Sequence, residues 1–199
     1  IPTGIQEIIS LEWSQIVLLK TLLIRGCQIR SQDYWMKKYL DLYFTTATIL
    51  NWQPLLVVDA NKDIVIDAFR YCVYNKRANI WAFVIMDTHI HLIWQILYSY
   101  TLPGVQRDML KFISQTIKNR MVTNGQLNEL EPFRVNKCDR YYQLWKRKPL
   151  SIVILNDHVL NQKLNYIHTN LFRKGMDDVS YKYSSARFYA TGERNWDFL

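Results

Sequence analysis

Between Trp81 and Trp94 the chain reads Trp-Ala-Phe-Val-Ile-Met-Asp-Thr-His-Ile-His-Leu-Ile-Trp, and no other segment constrains the fold as strongly. Ile, Val, Phe and Trp favour a pleated, buried surface, so the run predicts strand. The Met86-Asp87 step divides it into two strands, residues 80–85 and 88–96, suited to a hairpin. Strand side chains alternate between faces, so His89 and His91 project from one face while Ile90 and Leu92 enter the opposite layer. An imidazole is costly to bury without a partner, and its neutral form is a common metal ligand. The spacing therefore leaves two readings: a divalent cation shared by both rings, or two hydrogen-bonded histidines on a half-wet sheet face.

The remaining periodicities fit around that hairpin. Residues 43–50 (Tyr-Phe-Thr-Thr-Ala-Thr-Ile-Leu) predict a strand, with Asn51-Trp52-Gln53-Pro54 turning out of it. Residues 63–76 predict a helix whose apolar face is Val65, Phe69, Cys72 and Val73. Pro103-Gly104 opens a helix to about Val122, with Met109, Phe112, Ile113, Ile117 and Met121 at helical spacing. Residues 123–134 are polar and read as a loop, and residues 142–145 as a short strand. Asn156 is a good N-cap, with Asp157 suiting the helix dipole, for a helix running to about Phe172 and stopping at Gly175. Near the N-terminus, residues 5–24 have amphipathic helical character that Gly26 ends. A strand–helix–strand core with hairpins predicts an α+β domain over residues 41–199, a mainly antiparallel central sheet with helices packed on it. Residues 1–40 form an N-terminal helical extension in this reading.

The helix after Asn156 carries two stripes. Leu160, Leu164, Ile167 and Leu171 form the core stripe; Gln162, Tyr166 and Asn170 fall at i, i+4 and i+8 on a neighbouring polar face. If that face meets the strand bearing His89 and His91, two imidazoles, an amide oxygen and a phenol surround one point. Mixed sites rich in oxygen suit Mg²⁺ or Mn²⁺. Spacing alone fits ordinary amphipathic packing of the tyrosine equally well.

Charge points to the class of partner. The net charge of +8 favours a polyanion, and nucleic acid is the commonest one. Lys76-Arg77 and Lys146-Arg147-Lys148 are the basic segments suited to a phosphate backbone, with Trp145 or Tyr142 available to stack on a base; solvated surface is the plainer reading of each. Hydrophobic content of 49% excludes global disorder. Cys27, Cys72 and Cys138 are odd in number and far apart, which argues against a disulfide framework and for a reducing cytosol. The apolar stretch over residues 16–24 contains Lys20 and is too short for a bilayer, which needs about 20 residues. No secretory signal layout is expected.

Three segments together carry a family resemblance: Met86-Asp-Thr-His-Ile-His-Leu-Ile-Trp94, Gln162-Lys-Leu-Asn-Tyr-Ile-His-Thr-Asn170 and Tyr183-Ser-Ser-Ala-Arg-Phe-Tyr189. In order and spacing they resemble the single-tyrosine HUH transposases, most of all the REP-associated branch of bacterial transposase-like proteins. Thr88 stands where that family usually has Asn, and Leu171 where it usually has Pro. The resemblance implies a ferredoxin- or RRM-like HUH fold and a bacterial cytoplasmic protein, with a homodimer as one assembly it allows. It also implies cleavage and rejoining of single-stranded or hairpin DNA through a 5′-phosphotyrosine. Tyr166 would be the nucleophile; His89, His91 and Asn170 would hold Mg²⁺ or Mn²⁺. A DNA-hairpin-binding copy of the family that does not cleave is the alternative.

Overall fold

The β-branched and aromatic segment Leu42–Thr48 forms strand β1, which lies between two partners in a four-stranded antiparallel sheet. The protein is described here by a computed structural model, covering residues 40–170 and 179–199. The helix expected over residues 5–24 and the stop expected at Gly175 lie outside the described residues. In chain order the main elements are β1, helix α1 (Asp59–Tyr74), β2 (Ala78–Ile85), β3 (His89–Ile96) and α2 (Leu102–Thr123). A short α3 (Leu127–Leu130), the two-stranded ribbon β4 (Arg134–Lys137) and β5 (Arg140–Tyr142), β6 (Leu150–Val153), α4 (Asp157–Thr169) and α5 (Ala186–Thr191) follow. The sheet order β2-β3-β1-β6 and the βαββαβ succession are those of a ferredoxin-like sandwich, as expected for an α+β chain.

Alternation divides the sheet into two layers. Ala47, Phe83, Ile85, Ile90, Leu92 and Trp94 meet α1 and α2 in the main core. The opposite face carries Phe44, Val84, His91 and Ile93, all buried, and lies under α4, whose buried side is Leu160, Leu164, Ile167 and His168. A polar chain on the main-core face ties the sheet to α2: Trp94 Nε1 donates to Thr45 Oγ1 at 2.9 Å, Thr45 pairs with Ser151 at 3.0 Å, and Ser151 donates to Gln106 at 3.2 Å.

Helix α2 begins where Pro103-Gly104 predicts it, with the Thr101 hydroxyl accepting from the Gly104 amide. Asn156 likewise caps α4 through the Val159 amide at 3.0 Å. Phe112 departs from expectation and is exposed. At about 100° per residue it lies roughly 100° from the centre of the face set by Met109, Ile113 and Ile117. Helix α1 starts one turn earlier than expected because its first turn hides polar residues: Asn61 donates to the Leu55 carbonyl at 2.7 Å and accepts from Arg120 at 2.9 Å. The strand expected at residues 142–145 is displaced. Residues 140–142 pair in the ribbon instead, Trp145 makes a single bridge to Ile49, and the fourth strand of the sheet is β6, which the sequence reading did not assign.

The Ser184-Ser185 segment covers the outer edge of β2: the Ile85 amide donates to the Tyr183 carbonyl at 2.9 Å and the Ser185 amide to the Phe83 carbonyl at 3.0 Å. His168 reaches this segment from α4, with Nε2 3.1 Å from Ser185 Oγ, and burial pulls its pKa down to about 4. An unfolded histidine titrates near 6.5, so on acidification the unfolded chain takes up a proton that folded His168 refuses. The stability tied to neutral His168 is present above pH 6.5 and is lost as pH falls toward 4. His168→Gln, which cannot titrate, should melt below the wild type at neutral pH, and the gap should narrow as pH is lowered through that window. Thermal melts across the range check this; a constant gap would assign the difference to packing alone.

Candidate functional site

Register sets the site. Thr46 on β1 faces His91, and Thr48 faces His89. In this antiparallel pair the Thr46 hydroxyl lies 2.8 Å from His91 Nδ1. Thr88, in the β2–β3 turn, places its hydroxyl 2.9 Å from His89 Nδ1. The two imidazoles sit edge to face with centroids 4.7 Å apart. Phe44, two residues before Thr46, stacks on His91 at 5.6 Å.

Helix α4 brings the third ring. The Tyr166 phenol lies edge-on to His91 at 5.0 Å and to Phe44 at 5.8 Å, while remaining 39% exposed. A tyrosine on the core side of this helix would be sealed; Tyr166 reaches the histidines and solvent together. Lys163, one turn earlier, holds its ammonium 5.2 Å from the Phe44 ring. The structure thus brings together His89, His91 and Tyr166, which lie on elements far apart in sequence.

Burial keeps His91 uncharged. Its pKa falls to about 3, first through desolvation and then through the neighbouring His89. His91 Nε2 is buried with no hydrogen-bond partner, and in the tautomer in which the Thr46 hydroxyl accepts from Nδ1–H it keeps its lone pair. In that tautomer an orphaned ring nitrogen beside a second imidazole fits a divalent cation. Asn170 caps α4 just past Tyr166, its backbone amide donating to the Tyr166 carbonyl at 3.1 Å. Its side-chain nitrogen is also buried without a partner, and a half-turn of the amide would put the oxygen there. Among the described residues, no three of His, Cys, Asp and Glu converge as a ligand set.

The β2–β3 turn that carries the histidines is held from below. The Leu56 amide donates to the Asp87 carbonyl at 2.9 Å, the Ile49 amide to the Thr88 carbonyl at 2.8 Å, and the Tyr181 hydroxyl to the Ile85 carbonyl at 2.7 Å. Lys62, buried under Tyr183 with its ammonium 5.2 Å from the ring, pairs with Asp59 at 3.4 Å and Asp87 at 3.7 Å.

The basic segments separate. The Lys146 amide donates to the Thr48 carbonyl at 2.7 Å, which seats that cation beside the strand end opposite His89; Arg147 and Lys148 follow it, exposed. Arg77 does not have a free guanidinium: it pairs with Asp108 at 2.7 Å and covers Tyr100 at 5.1 Å. Lys76 is exposed, but the strand beginning just after Arg77 starts opposite Ile96, roughly 23 Å along β3 from His89. Trp145 is core rather than a stacking surface, only 7% exposed, because its backbone bridges Ile49 and turns the indole inward. Tyr142 also packs against the core. The sequence reading missed Trp52. It follows β1 in a 3-10 turn (Leu50–Trp52), meets His89 edge to face at 5.6 Å, and lies under the Lys146 ammonium at 4.5 Å. The only sequence signal was an aromatic residue inside a turn directly after a strand.

The fold is shared with a solved structure. A REP-associated tyrosine transposase solved bound to a REP hairpin matches with a TM-score of 0.56 and 16% identity, over 76% of this chain and 81% of that one. A protein from Deinococcus radiodurans R1 described as a candidate transposase aligns with a TM-score of 0.41 and 17% identity, over 72% of this chain and 94% of that one. No family model matches the chain, and no curated protein matches it as a relative. Among the described residues, no helix is long and apolar enough to cross a membrane.

Lys62→Met would leave Asp87 and the Val57 carbonyl without their ammonium donor while keeping the side-chain length. Because Asp87 is partly exposed, the expected loss is about 1–3 kcal/mol, readable as a lower urea midpoint at unchanged slope. An unchanged midpoint would show that the turn is held without the Lys62 ammonium.

Proposed function

We propose that this chain binds single-stranded or hairpin DNA and cleaves and rejoins it through Tyr166, as a member of the single-tyrosine HUH transposases. One observation carries the reading: a solvent-reaching tyrosine and two imidazoles, one of them with an unpartnered buried nitrogen, meet ring to ring at the end of a central strand. The hairpin-bound transposase of the same fold supports DNA as the substrate, and the +8 net charge agrees.

His89 and His91 would hold a divalent cation, with Asn170 as a third ligand after its amide turns. Mg²⁺ or Mn²⁺ held there would supply charge neutralisation for the scissile phosphate. The chain's own part is to hold the phenol at the cluster, where Phe44 and His91 border its ring. Tyr166 Oη attacks phosphorus and loses its proton to solvent, forming the O–P bond of a 5′-phosphotyrosine. The P–O3′ bond breaks, and the departing oxygen takes up a proton to become a free 3′-hydroxyl. A later 3′-hydroxyl reverses the step and joins new ends, so no nucleotide cofactor is needed. Lys146, Arg147 and Lys148 would run along the backbone of the incoming strand.

The second reading is a hairpin-binding chain that does not cleave, and Thr88 and Leu171, standing where the family usually has Asn and Pro, favour it. One experiment separates the two. A labelled hairpin oligonucleotide with Mg²⁺ or Mn²⁺ should give a denaturation-resistant band of shifted mobility with the wild type. Chelator, His91→Ala and Tyr166→Phe should each abolish it. Tyr166→Phe should still bind the DNA, since it removes one oxygen from an exposed ring. A band surviving Tyr166→Phe would move the nucleophile elsewhere; binding with no band in the wild type would leave the non-cleaving reading. Replacing Lys146, Arg147 and Lys148 together with alanine should flatten the dependence of affinity on salt, by roughly 0.7 in log–log slope for each phosphate no longer neutralised. An unaltered slope would make the segment solvated surface.

A further inference from the structure

Trp52 is 54% exposed, an unusual position for the largest apolar side chain. Its backbone is unusual too. Asn51 and Trp52 both lie in the left-handed region, with φ of 53° and 57°, and a bulky non-glycine residue there is an outlier that surrounding structure must hold. Local bonds hold it: the Trp52 amide donates to the Ile49 carbonyl at 3.1 Å, and the Leu50 amide to the Leu144 carbonyl at 2.7 Å. The ring is thus kept beside His89 by a strained turn instead of by burial. Above it sits the Lys146 ammonium, 4.5 Å from the ring centre. Tyr98 and Tyr141 are more exposed, but neither ring meets the histidines.

A half-exposed aromatic ring with a lysine ammonium over its face matches one ligand chemistry, a nucleotide whose base stacks on the ring while the ammonium turns to its phosphate. A base inside a duplex is already stacked on both faces, so the match is to an unpaired one. Resting on the DNA reading proposed above, we infer that Trp52 and Lys146 form a platform that stacks the unpaired base adjoining the phosphate presented to His89 and His91. Trp52 is in this role a positioning residue, which sets which phosphate along the strand reaches Tyr166.

The test compares two labelled oligonucleotides, a hairpin with a single-stranded flank and the same molecule with abasic sites in that flank, bound in chelator to the full-length wild type, Trp52→Ala and Trp52→Phe. The wild type should bind the abasic flank more weakly, on the order of tenfold. Trp52→Ala should lose a similar factor on the natural flank and nothing further on the abasic one, while Trp52→Phe recovers most of the loss. Thermal midpoints report whether each variant is folded, and a fold defect would weaken both oligonucleotides alike. Independent, multiplying losses from the substitution and the abasic sites would overturn the platform while leaving DNA binding intact. A wild type that binds neither oligonucleotide overturns the DNA reading, and the platform with it.

Discussion

The antiparallel register of β1 against β3 is the constraint on which the site depends. Thr46 opposite His91 supplies the hydroxyl at Nδ1, and Phe44, further along the same face, supplies the stacking ring. Because strand side chains alternate with a period of two, a slip of one residue would turn Thr46 and Phe44 to the other layer and bring Thr45 and Ala47 to the histidines. It would also break the Trp94–Thr45–Ser151 chain on the opposite face. The two layers therefore fix each other: the hydroxyl that satisfies a core tryptophan and the hydroxyl that orients a candidate ligand are neighbours in sequence and point apart. End and edge are fixed as well, since the chain leaving β1 pairs with residues 144–146 and so puts Lys146 and Trp52 at the strand end that carries His89.

A buried, uncharged histidine is an expense that ordinary packing does not explain. His91 is almost fully buried, is held neutral by desolvation, and still has one ring nitrogen without a partner. An apolar residue of similar size would fill the space with no orphaned polar atom. His168, buried in the same helix-covered layer, differs in this respect: its Nε2 has Ser185 Oγ, which in turn bonds the Phe83 backbone. One histidine is satisfied and ties a helix to the sheet; the other is left open toward a second imidazole and a phenol. That contrast separates architecture from a candidate ligand, and it is the reason the fold-level likeness to a hairpin-bound transposase is worth testing at these residues first.

The sequence carried the architecture through its periods. The hairpin around Met86-Asp87, the cap at Asn156, the helix start at Pro103-Gly104, and the apolar faces of α1, α2 and α4 were readable because each rests on local spacing or capping chemistry. Boundaries failed where polar residues are buried for tertiary reasons, as with Asn61 and Lys62 in the first turn of α1. The fourth strand went unread because Leu150–Val153 is a short edge strand after a basic run, with both terminal residues exposed, so alternation gives no clear face. At the site, His89, His91 and Tyr166 were legible as motif members, yet their meeting was not, since it depends on how α4 lies across the sheet. The same blindness misjudged the flanking groups. Trp145 looked like a free ring and is core, Arg77 looked like a free cation and is paired, and Trp52 looked like turn filler and stands at the site.

These errors have one physical origin, and it bears on how the site can change. Side chains whose place is set by their own element's period are entangled with stability, so altering His91 or its Thr46 partner disturbs a buried layer. Side chains set by a crossing of elements, Tyr166 at the margin of α4 and Trp52 on its turn, stay partly exposed. A fold built this way can lose or exchange its tyrosine or its flanking aromatic ring at small cost in stability, generally within about half a kcal/mol for exposed positions. His91 has no such freedom, because its replacement must refill a packed interior. The buried imidazole of His91 is thus the feature of this site most strongly tied to the fold itself, whereas the tyrosine and the ring beside His89 can vary with less effect on whether the chain folds.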